Sequence, residues 1–358
     1  MGDNPNMPDR NGPLRVGVVG CGAFGRNHTR VYRDLQGDPQ LKIKFAGVVD
    51  ADTSRAKEVA AEFGTLAFAS VAELVAAGVD AVSIAVPTIA HLPIARELMQ
   101  AGVDVLIEKP LASTLAEADE LQAIARQHDR VVQVGHLERF NPAVRATLPL
   151  LTKPMFFEVH RLSVFTPRSL DVDVVLDLMI HDIDIVLTMA RSRVNEVRAV
   201  GLPILSKKVD IANVRLEFES GCVANFTASR VSTERVRKLR FFQPRQYVSL
   251  DFSRQDVLLL TVDEDAGASA SADFDPFNPA SVAGSAFPGI SPFKPTIEPQ
   301  EPLRAELVSF LDAVRARSVP EVSLEQGREA LAVALQIVDA IAQHSRRAHL
   351  EELTGGVS

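Results

Sequence analysis

Residues 14–25, LRVGVVGCGAFG, constrain the fold of this chain more than any other stretch. A run of small and β-branched residues, typical of a buried strand, ends in a GxGxxG turn, and a helical pattern follows over residues 26–35. In such a turn the first glycine permits the bend, the second lets the backbone approach a pyrophosphate, and the third lets helix and strand pack. The sequence therefore predicts a nucleotide-binding βαβ unit, with a purely structural glycine turn as the alternative.

The next apolar run, residues 41–49, ends in Asp50 and predicts which dinucleotide binds. A carboxylate at that position can bond the adenosine ribose hydroxyls and repels a 2′-phosphate, so Asp50 favours NAD. Arg55 keeps NADP as an alternative, because a guanidinium can pair with that phosphate. The cofactor contacts predicted in the turn itself are Gly20, Gly22, Ala23, Phe24 and Gly25.

Length and charge narrow the class of protein. At 358 residues the chain is long enough for two domains. A net charge of −8 and a pI near 5.6 argue against nucleic acid or an anionic membrane as the main partner.

No stretch is predicted to span a bilayer, and the polar residues 1–13 are expected to form a disordered leader without a secretory signal. Two cysteines give no disulfide framework or zinc spacing, so a reducing cytoplasm is expected.

After Asp50, strand and helix patterns alternate as in a Rossmann-type, doubly wound parallel sheet. Strands are predicted at 67–68, 80–86, 103–107 and 131–134, and helices at 53–63, 71–77, 89–101 and 115–128, the second capped by Ser70. The carboxyl ends of such strands meet at one edge, which carries the ligand. The residues expected there, near the nicotinamide, are Pro87, Thr88, Glu108, Lys109 and His136. His91 is counted with them, and a structural role is its alternative, as it is for His28.

From residue 141 the alternation stops, and an α+β domain is predicted over 141–323. A strand at 155–162 and a helix at 174–190 precede strand patterns at 194–200, 211–219, 222–231, 236–242, 247–252 and 257–262. Strands joined by short turns imply a largely antiparallel, open sheet. The Ala-, Ser-, Gly- and Pro-rich segment 264–302 is predicted to be a long flexible loop without a regular element. The alternative is that its phenylalanines dock on a surface or a partner subunit. Helices follow at 302–316 and 324–349, and segment 324–358 is expected to pack on the nucleotide domain, residues 14–140.

The segment LDLMIHDIDIVL holds two candidates for chemistry. Helical spacing places Asp177 and His181 one turn apart on one face, with Asp184 and Thr188. An imidazole beside a carboxylate is a proton acceptor suited to neutral pH, because the carboxylate fixes its tautomer and stabilises its charged form. An exposed helix face with an incidental pair is the alternative.

Lys109 is the third candidate, since it ends a predicted strand at the ligand edge. A lysine there can hold a substrate hydroxyl and stabilise the negative charge that develops on its oxygen as hydride leaves. The alternative is a lysine that bonds loop carbonyls.

Other polar groups leave alternatives open. Alternation along strand 155–162 places Glu158 and His160 on one face, either in a substrate pocket or on ordinary sheet surface. The metal ligands that the chain could assemble are His136, His160, Asp177 and His181. They form no compact ligand motif, so no metal site is predicted.

Together these residues resemble the glucose-fructose oxidoreductase, inositol dehydrogenase and rhizopine-catabolism family, Gfo/Idh/MocA. The resemblance runs from Val16 to the C-terminal helices through VGVVGCGAFG, VPTIAHLPIARELMQAGVDVLIEKPL, VGHLERFNP and the D-x-x-x-H of the second domain. It implies that Lys109 and His181 act at the reacting carbon, that Asp177 orients the histidine or a hydroxyl, and that the Lys109–Pro110 bond is cis. It also implies a homodimer or homotetramer through the second-domain sheet. His136 stands where many members have asparagine or phenylalanine.

Within that family, GHLERFNPAV, HRLSVFTPR and ASRVSTERVRKLRFF are most similar to the group that oxidises C3 of UDP-N-acetylglucosamine. The implied substrate is a nucleotide sugar, whose diphosphate suits the forked bonding of arginine. The substrate candidates are Lys109, Arg139, Asn141, Glu158, His160, Arg161, Arg168, Asp177 and His181, with Arg230, Arg235 and Arg237 as further arginines. Two other functions stay open: a dehydrogenase of a free sugar, inositol or a pyrrole pigment, and a non-catalytic NAD(P)-sensing regulator.

Overall fold

The computed structural model describes residues 12–165, 172–262 and 289–349. The strands are β1 (Leu14–Val19), β2 (Ile43–Val49), β3 (Leu66–Phe68), β4 (Ala81–Ile84), β5 (Asp104–Glu108), β6 (Val132–Gly135), β7 (Phe156–Val164), β8 (Val194–Leu202), β9 (Ile211–Phe218), β10 (Val223–Ser232), β11 (Val236–Gln243), β12 (Gln246–Asp251), β13 (Asp256–Val262) and β14 (Ile290–Phe293). The helices are α1 (Ala23–Gln36), α2 (Thr53–Phe63), α3 (Val71–Ala76), α4 (His91–Gln100), α5 (Leu115–Gln127), α6 (Pro142–Thr147), α7 (Ile180–Ala190), α8 (Pro302–Ala316) and α9 (Leu324–Arg347).

The chain divides into two compact units, and the division falls where the alternation of strands and helices ends. The first unit holds the residues up to Phe140 together with Gln300–Ala332, and the second holds the rest. The sequence placed α8 in the second domain, which is wrong: Leu307 and Phe310 are fully buried in the core of the first unit. It also placed all of 324–358 with the nucleotide domain, but only the part up to Ala332 groups there.

The first unit is built on a six-stranded parallel sheet in the order β3-β2-β1-β4-β5-β6. Strands β4 and β5 are buried along their whole length, as expected for a sheet with helices on both faces. The strand order reverses between β1 and β4, and open sheets of this kind bind ligands outside the carboxyl ends of the strands at that point. The predicted doubly wound fold is confirmed.

Three helices of this unit, α2, α3 and α5, begin next to a short polar side chain that caps them. Ser70 Oγ accepts a hydrogen bond from Glu73 N, as predicted, and the Glu73 carboxylate in turn accepts one from Ala69 N. Thr114 and Glu117 make the same reciprocal arrangement at the start of α5. These capping boxes satisfy backbone N–H groups that a helix leaves unbonded, so the helix starts are set locally.

The second unit is built on an eight-stranded sheet in the order β14-β13-β12-β11-β7-β10-β9-β8. All neighbouring strands are antiparallel except β7 and β10, which run parallel. Along β9, Ala212, Val214, Leu216 and Phe218 are buried while the residues between them are not, so one face of the sheet is covered. The predicted α+β domain with a largely antiparallel sheet is confirmed.

One part of the predicted loop 264–302 is ordered as a strand. Residues 263–288 lie outside the described residues, but β14 pairs antiparallel with β13 through Ile290 to Phe293. The expectation that no regular element forms there is therefore wrong for these four residues, because an edge strand needs only a free neighbour to pair with. In the ranges described, no helix is both long and apolar enough to cross a membrane.

Candidate active site

The glycine turn between β1 and α1 shapes one side of the site. Gly20 has a φ of +100°, a left-handed conformation, and a Cβ there would collide with the Ala85 carbonyl. A Cβ on Gly22, by contrast, would meet no atom of the described residues within 4 Å. Because Gly22 is also the N-cap residue of α1, the turn presents open backbone beside a helix N-terminus. A pyrophosphate needs both features.

A cavity of about 660 Å³ opens beside this turn, within the first unit. Its size is ordinary for a cofactor site. The predicted cofactor residues that line it are Gly20, Gly22, Ala23, Phe24, Asp50, Arg55 and Pro87. The open glycine, the helix N-terminus and the carboxylate fit the pyrophosphate and the adenosine ribose of NAD.

Asp50 is held in this cavity by backbone groups. Cys21 N donates to its Oδ2 at 2.6 Å and Asp52 N to its Oδ1 at 2.8 Å. Arg55 Nη1 lies 3.5 Å from the same Oδ1. These backbone donors fix the Asp50 carboxylate in place. Each of its oxygens can accept a further hydrogen bond, so Asp50 keeps acceptor capacity for ribose hydroxyls.

The remaining cofactor candidates lie at or near the ends of β4, β5 and β6. Lys109 is half-buried directly after β5, and its backbone N donates to Glu108 Oε2 at 3.3 Å. The Lys109–Pro110 bond is cis, which confirms that expectation. Thr88 is half-buried and His136 is buried.

His91 differs from these residues, because its ring is occupied by backbone. Its Nε2 lies 3.0 Å from Val86 O and its Nδ1 3.3 Å from Leu111 O. Burial lowers the pKa of His91, and its two ring nitrogens lie against carbonyl oxygens of two loops next to α4. The structural alternative therefore fits His91 better than a cofactor contact.

A π-helical turn interrupts the predicted helix 174–190. Residues Val175–Met179 are π-helical and a regular α-helix follows from Ile180 to Ala190, so the predicted range is helical but contains a π turn that was not predicted. A π turn is wider than an α turn, and the spacing of Asp177 and His181 no longer stacks them as an α-helix would. Both side chains are half-buried rather than on an exposed face. Such turns are frequent at functional sites, which supports these two residues as candidates.

Arg161 and Asp182 form a buried ion pair within the second unit. Arg161 Nε and Nη2 each lie 2.7 Å from a different oxygen of Asp182, and both side chains are 2% exposed. The guanidinium also lies 5.4 Å from the centroid of the Phe252 ring. The forked bonding predicted for a diphosphate is thus used on Asp182, and Arg161 is a structural residue that fastens α7 to β7.

Glu158 and His160 lie on the other face of β7. Phe157, Val159 and Arg161 are buried on the face that α7 covers, while Glu158 and His160 alternate with them and are half-buried. Glu158 pairs with Arg240 of the neighbouring strand at 3.0 Å. The sheet-surface alternative therefore fits these two residues.

The other substrate candidates are distributed unevenly. Asn141 is buried, caps α6 through Oδ1 and donates from Nδ2 to a backbone carbonyl, so its amide has structural partners. Arg139 is buried, and Arg230 is buried 3.7 Å from Asp210. Arg168 lies outside the described residues and stays a prediction.

Two family models match this chain. The model described as an oxidoreductase family with an NAD-binding Rossmann fold matches residues 14–136, and the Gfo/Idh/MocA C-terminal domain model matches residues 156–245. The chain belongs to the Gfo/Idh/MocA oxidoreductase family. The resemblance seen in the motifs is confirmed, and with it the assignment of the first unit as an NAD-binding domain.

Known Gfo/Idh/MocA proteins differ in how much of the chain they match. The UDP-N-acetylglucosamine 3-dehydrogenase of Acidithiobacillus ferrooxidans is 37% identical over 92% of this chain and 97% of its own. A solved structure of that enzyme superposes with a TM-score of 0.80, at 36% identity over 92% and 97% of the two chains. An inositol 2-dehydrogenase of Saccharopolyspora erythraea is 33% identical over 51% of this chain and 56% of its own.

Sequence reasoning missed several buried carboxyl groups of this Gfo/Idh/MocA chain. Asp182 is buried, Asp184 is buried although it shares the polar helix face of Asp177 and His181, and Glu306 on α8 is fully buried. One signal was present: α7 is apolar on nearly every side, so carboxylates within it have to be buried and paired. For Glu306 no comparable local signal exists. Across the described ranges, no group of three or more His, Cys, Asp or Glu residues could hold a metal ion.

Proposed function

We propose that this chain is an NAD-dependent dehydrogenase that oxidises the C3 hydroxyl of UDP-N-acetylglucosamine, or of a similar UDP-N-acetylhexosamine, to a ketone. The observation that carries the proposal is the 37% identity to a UDP-N-acetylglucosamine 3-dehydrogenase across 92% of this chain and 97% of that enzyme. That match spans both units, whereas the inositol 2-dehydrogenase match covers about half of either chain. A nucleotide sugar is therefore better supported than inositol.

The residues divide the work between binding and proton transfer. NAD, when bound, accepts hydride from the carbinol carbon. Asp50 and the open backbone at Gly22 would hold its ribose and pyrophosphate, because both line the cavity of the first unit. Lys109 would hold the sugar hydroxyl and stabilise the charge on its oxygen. His181 would take the hydroxyl proton, with Asp177 orienting the imidazole or a hydroxyl.

The substrate and the carbon can be tested in one assay. The purified protein is mixed with NAD⁺ and UDP-N-acetylglucosamine deuterated at C3, with hydroxylamine present to trap a ketone as its oxime. The expected result is deuterated reduced nicotinamide and a trapped UDP-sugar. Transfer of deuterium from another labelled carbon would move the site of oxidation, and turnover of myo-inositol or free N-acetylglucosamine without turnover of the UDP-sugar would overturn the nucleotide-sugar proposal.

We also propose that copies of this chain associate through the open face of the second-unit sheet. On the side of β7 opposite α7, Glu158 and its partner Arg240 are 37% and 36% exposed, so this part of the sheet face is open, which supports the proposal. Light scattering at several protein concentrations should give the mass of a dimer or tetramer. A monomer at micromolar concentration would overturn it.

The compartment is a further proposal. Cys21 and Cys222 are buried free thiols, which supports a reducing environment such as the cytoplasm.

A further inference from the structure

The first unit contains a buried polar cluster behind the end of β5, made by three elements. His28 of α1 and Glu108 of β5 face each other at 2.9 Å between Nε2 and Oε1, with side chains 0% and 8% exposed. Glu306 of α8 is fully buried and close enough to Glu108 for the two charges to interact. The helix is fixed in register on the sheet, since Gln133 Nε2 donates to the Glu306 backbone carbonyl at 3.2 Å.

Glu306 is the unusual member, because neither of its carboxyl oxygens has a hydrogen-bond partner among the described residues. An ionised carboxylate in such a place would be very costly. Burial, together with the nearby charge of Glu108, raises the pKa of Glu306 well above its usual range. Glu306 therefore keeps its proton to a higher pH than an exposed glutamate does, while Glu108 is paired with His28.

Several groups face Glu306 from the elements around it. Glu108 comes from β5, and α1 contributes His28 and Tyr32, whose hydroxyl bonds Ser83 Oγ at 2.9 Å. The 3₁₀ turn Leu137–Phe140 packs against the same helix and carries two buried charged residues, Glu138 and Arg139. A variant that alters only Glu306 keeps all of these residues in the sequence.

Glu108 connects this cluster to the proposed active site. Its Oε2 accepts from Lys109 N at 3.3 Å. Gly135, at the end of β6, leaves room for the same carboxylate: a Cβ there would come within 2.9 Å of it. The Glu108 carboxylate thus has one well-defined place, and the backbone of Lys109 is bonded to it.

We propose that Glu306 is a positioning residue for Lys109: as an uncharged acid it leaves the Glu108 carboxylate bound to His28 and Lys109 N, and as an anion it displaces that carboxylate. The proposal rests on the role given to Lys109 above. It predicts that loss of the Glu306 proton both lowers the stability of the folded enzyme and shifts Lys109.

The sign of the pH effect follows from the raised pKa. Stability from a protonated Glu306 is fully present below the pKa of an unfolded glutamate and is lost as pH rises through the pKa of the folded state. Between those two pKa values the ratio of folded to unfolded wild-type protein falls about tenfold per pH unit relative to that of a variant that cannot ionise at position 306.

The test compares Glu306→Gln with Asp312→Asn, an exposed carboxylate on the same helix that gives the same change in net charge. Urea unfolding of the cofactor-free protein from about pH 5 to about pH 9 should show Glu306→Gln gaining on the wild type as pH rises, while Asp312→Asn runs parallel to the wild type. Parallel curves for all three proteins would overturn the proposal. Glu306→Met, also uncharged, repeats the comparison if the glutamine variant folds poorly.

Two readouts separate positioning from mere stability. The first is the acylation rate of Lys109 by a succinimidyl ester, followed by peptide mass spectrometry. In the wild type its dependence on alkaline pH should contain a step beyond the deprotonation of the lysine itself, because Glu306 ionises. Glu306→Gln should lack that step. The alkaline limb of kcat should shift in the same variant, with KM for NAD⁺ unchanged. If Glu306→Gln shows the pH-dependent gain in stability but the same Lys109 acylation as the wild type, Glu306 has only a structural role and the proposal is overturned. Absence of turnover with altered acylation would instead count against the proposed function.

Discussion

The Asp50 carboxylate of the first unit and the Asp182 carboxylate of the second are both held firmly, but by different kinds of partner. Asp50 accepts from the backbone N–H groups of Cys21 and Asp52, which local turn geometry supplies. Asp182 is held by the guanidinium of Arg161, a side chain on another element. The comparison teaches that a site built from backbone is specified by short motifs, whereas a site built from side chains depends on which faces pack together.

The largest expected effect concerns the two residues assigned to the chemistry, Lys109 after β5 and His181 on α7. Lys109→Met and His181→Asn should each lower kcat by roughly 10²–10⁴-fold, since general-base and charge-stabilising groups contribute that much. NAD⁺ binding, measured by titration calorimetry, should change little in His181→Asn. If kcat survives in both variants, the catalytic assignment of Lys109 and His181 fails.

The next effect concerns the side-chain-built region alone. Asp182→Ala removes both hydrogen bonds that Asp182 makes with the buried Arg161 guanidinium, which should lower the free energy of unfolding by about 3–5 kcal/mol. Denaturant unfolding measures this loss. The double variant Arg161→Met, Asp182→Leu should recover most of it, because an apolar pair of similar size needs no desolvated charge. A loss below about 1 kcal/mol would show that the pair does not hold α7 on the sheet.

What could be predicted from the sequence follows the same division. The strands of both sheets except β14 were predicted to within two residues of their ends, because glycine turns, caps and apolar periods are local signals. The cofactor residues stay predictions, which the cavity lining supports for seven of them. The π turn before α7, the pairing of Arg161 and the burial of Glu306 were not predicted, since no short motif marks them and the last two depend on which side chains of different elements pack together. The parallel pairing of β7 with β10 was missed for the same reason.

Two glycines test whether the cofactor side is set by backbone. Gly25→Ala would drive a Cβ into the Gly20 carbonyl, and overpacking of that kind should cost about 1–3 kcal/mol of stability. Gly22→Ala, whose Cβ meets open space, should keep the melting temperature and weaken NAD⁺ binding instead. Equal melting temperatures and equal NAD⁺ affinities in the two variants would contradict this division of roles.

Asp50→Asn tests the preference for NAD over NADP. The amide keeps an acceptor for a backbone N–H but removes the charge that repels a 2′-phosphate, so the ratio of NADP⁺ to NAD⁺ affinity should rise by about tenfold, or about 1.4 kcal/mol. Asp52→Asn is the control, since Asp52 caps α2 and carries the same charge outside the cavity lining. A ratio that rises equally in both variants would assign the effect to general charge rather than to Asp50.

The smallest effect is expected on the opposite face of β7 from Arg161. Glu158 and Arg240 are 37% and 36% exposed, so their pair should contribute only about 0.2–1 kcal/mol in a double-mutant cycle of Glu158→Ala and Arg240→Ala. If copies of the chain associate through this face, the same variants should change the association constant seen by light scattering and leave KM for the UDP-sugar unchanged. A large rise in that KM would place Glu158 in the substrate pocket after all, because a surface ion pair cannot alter substrate affinity without contacting it.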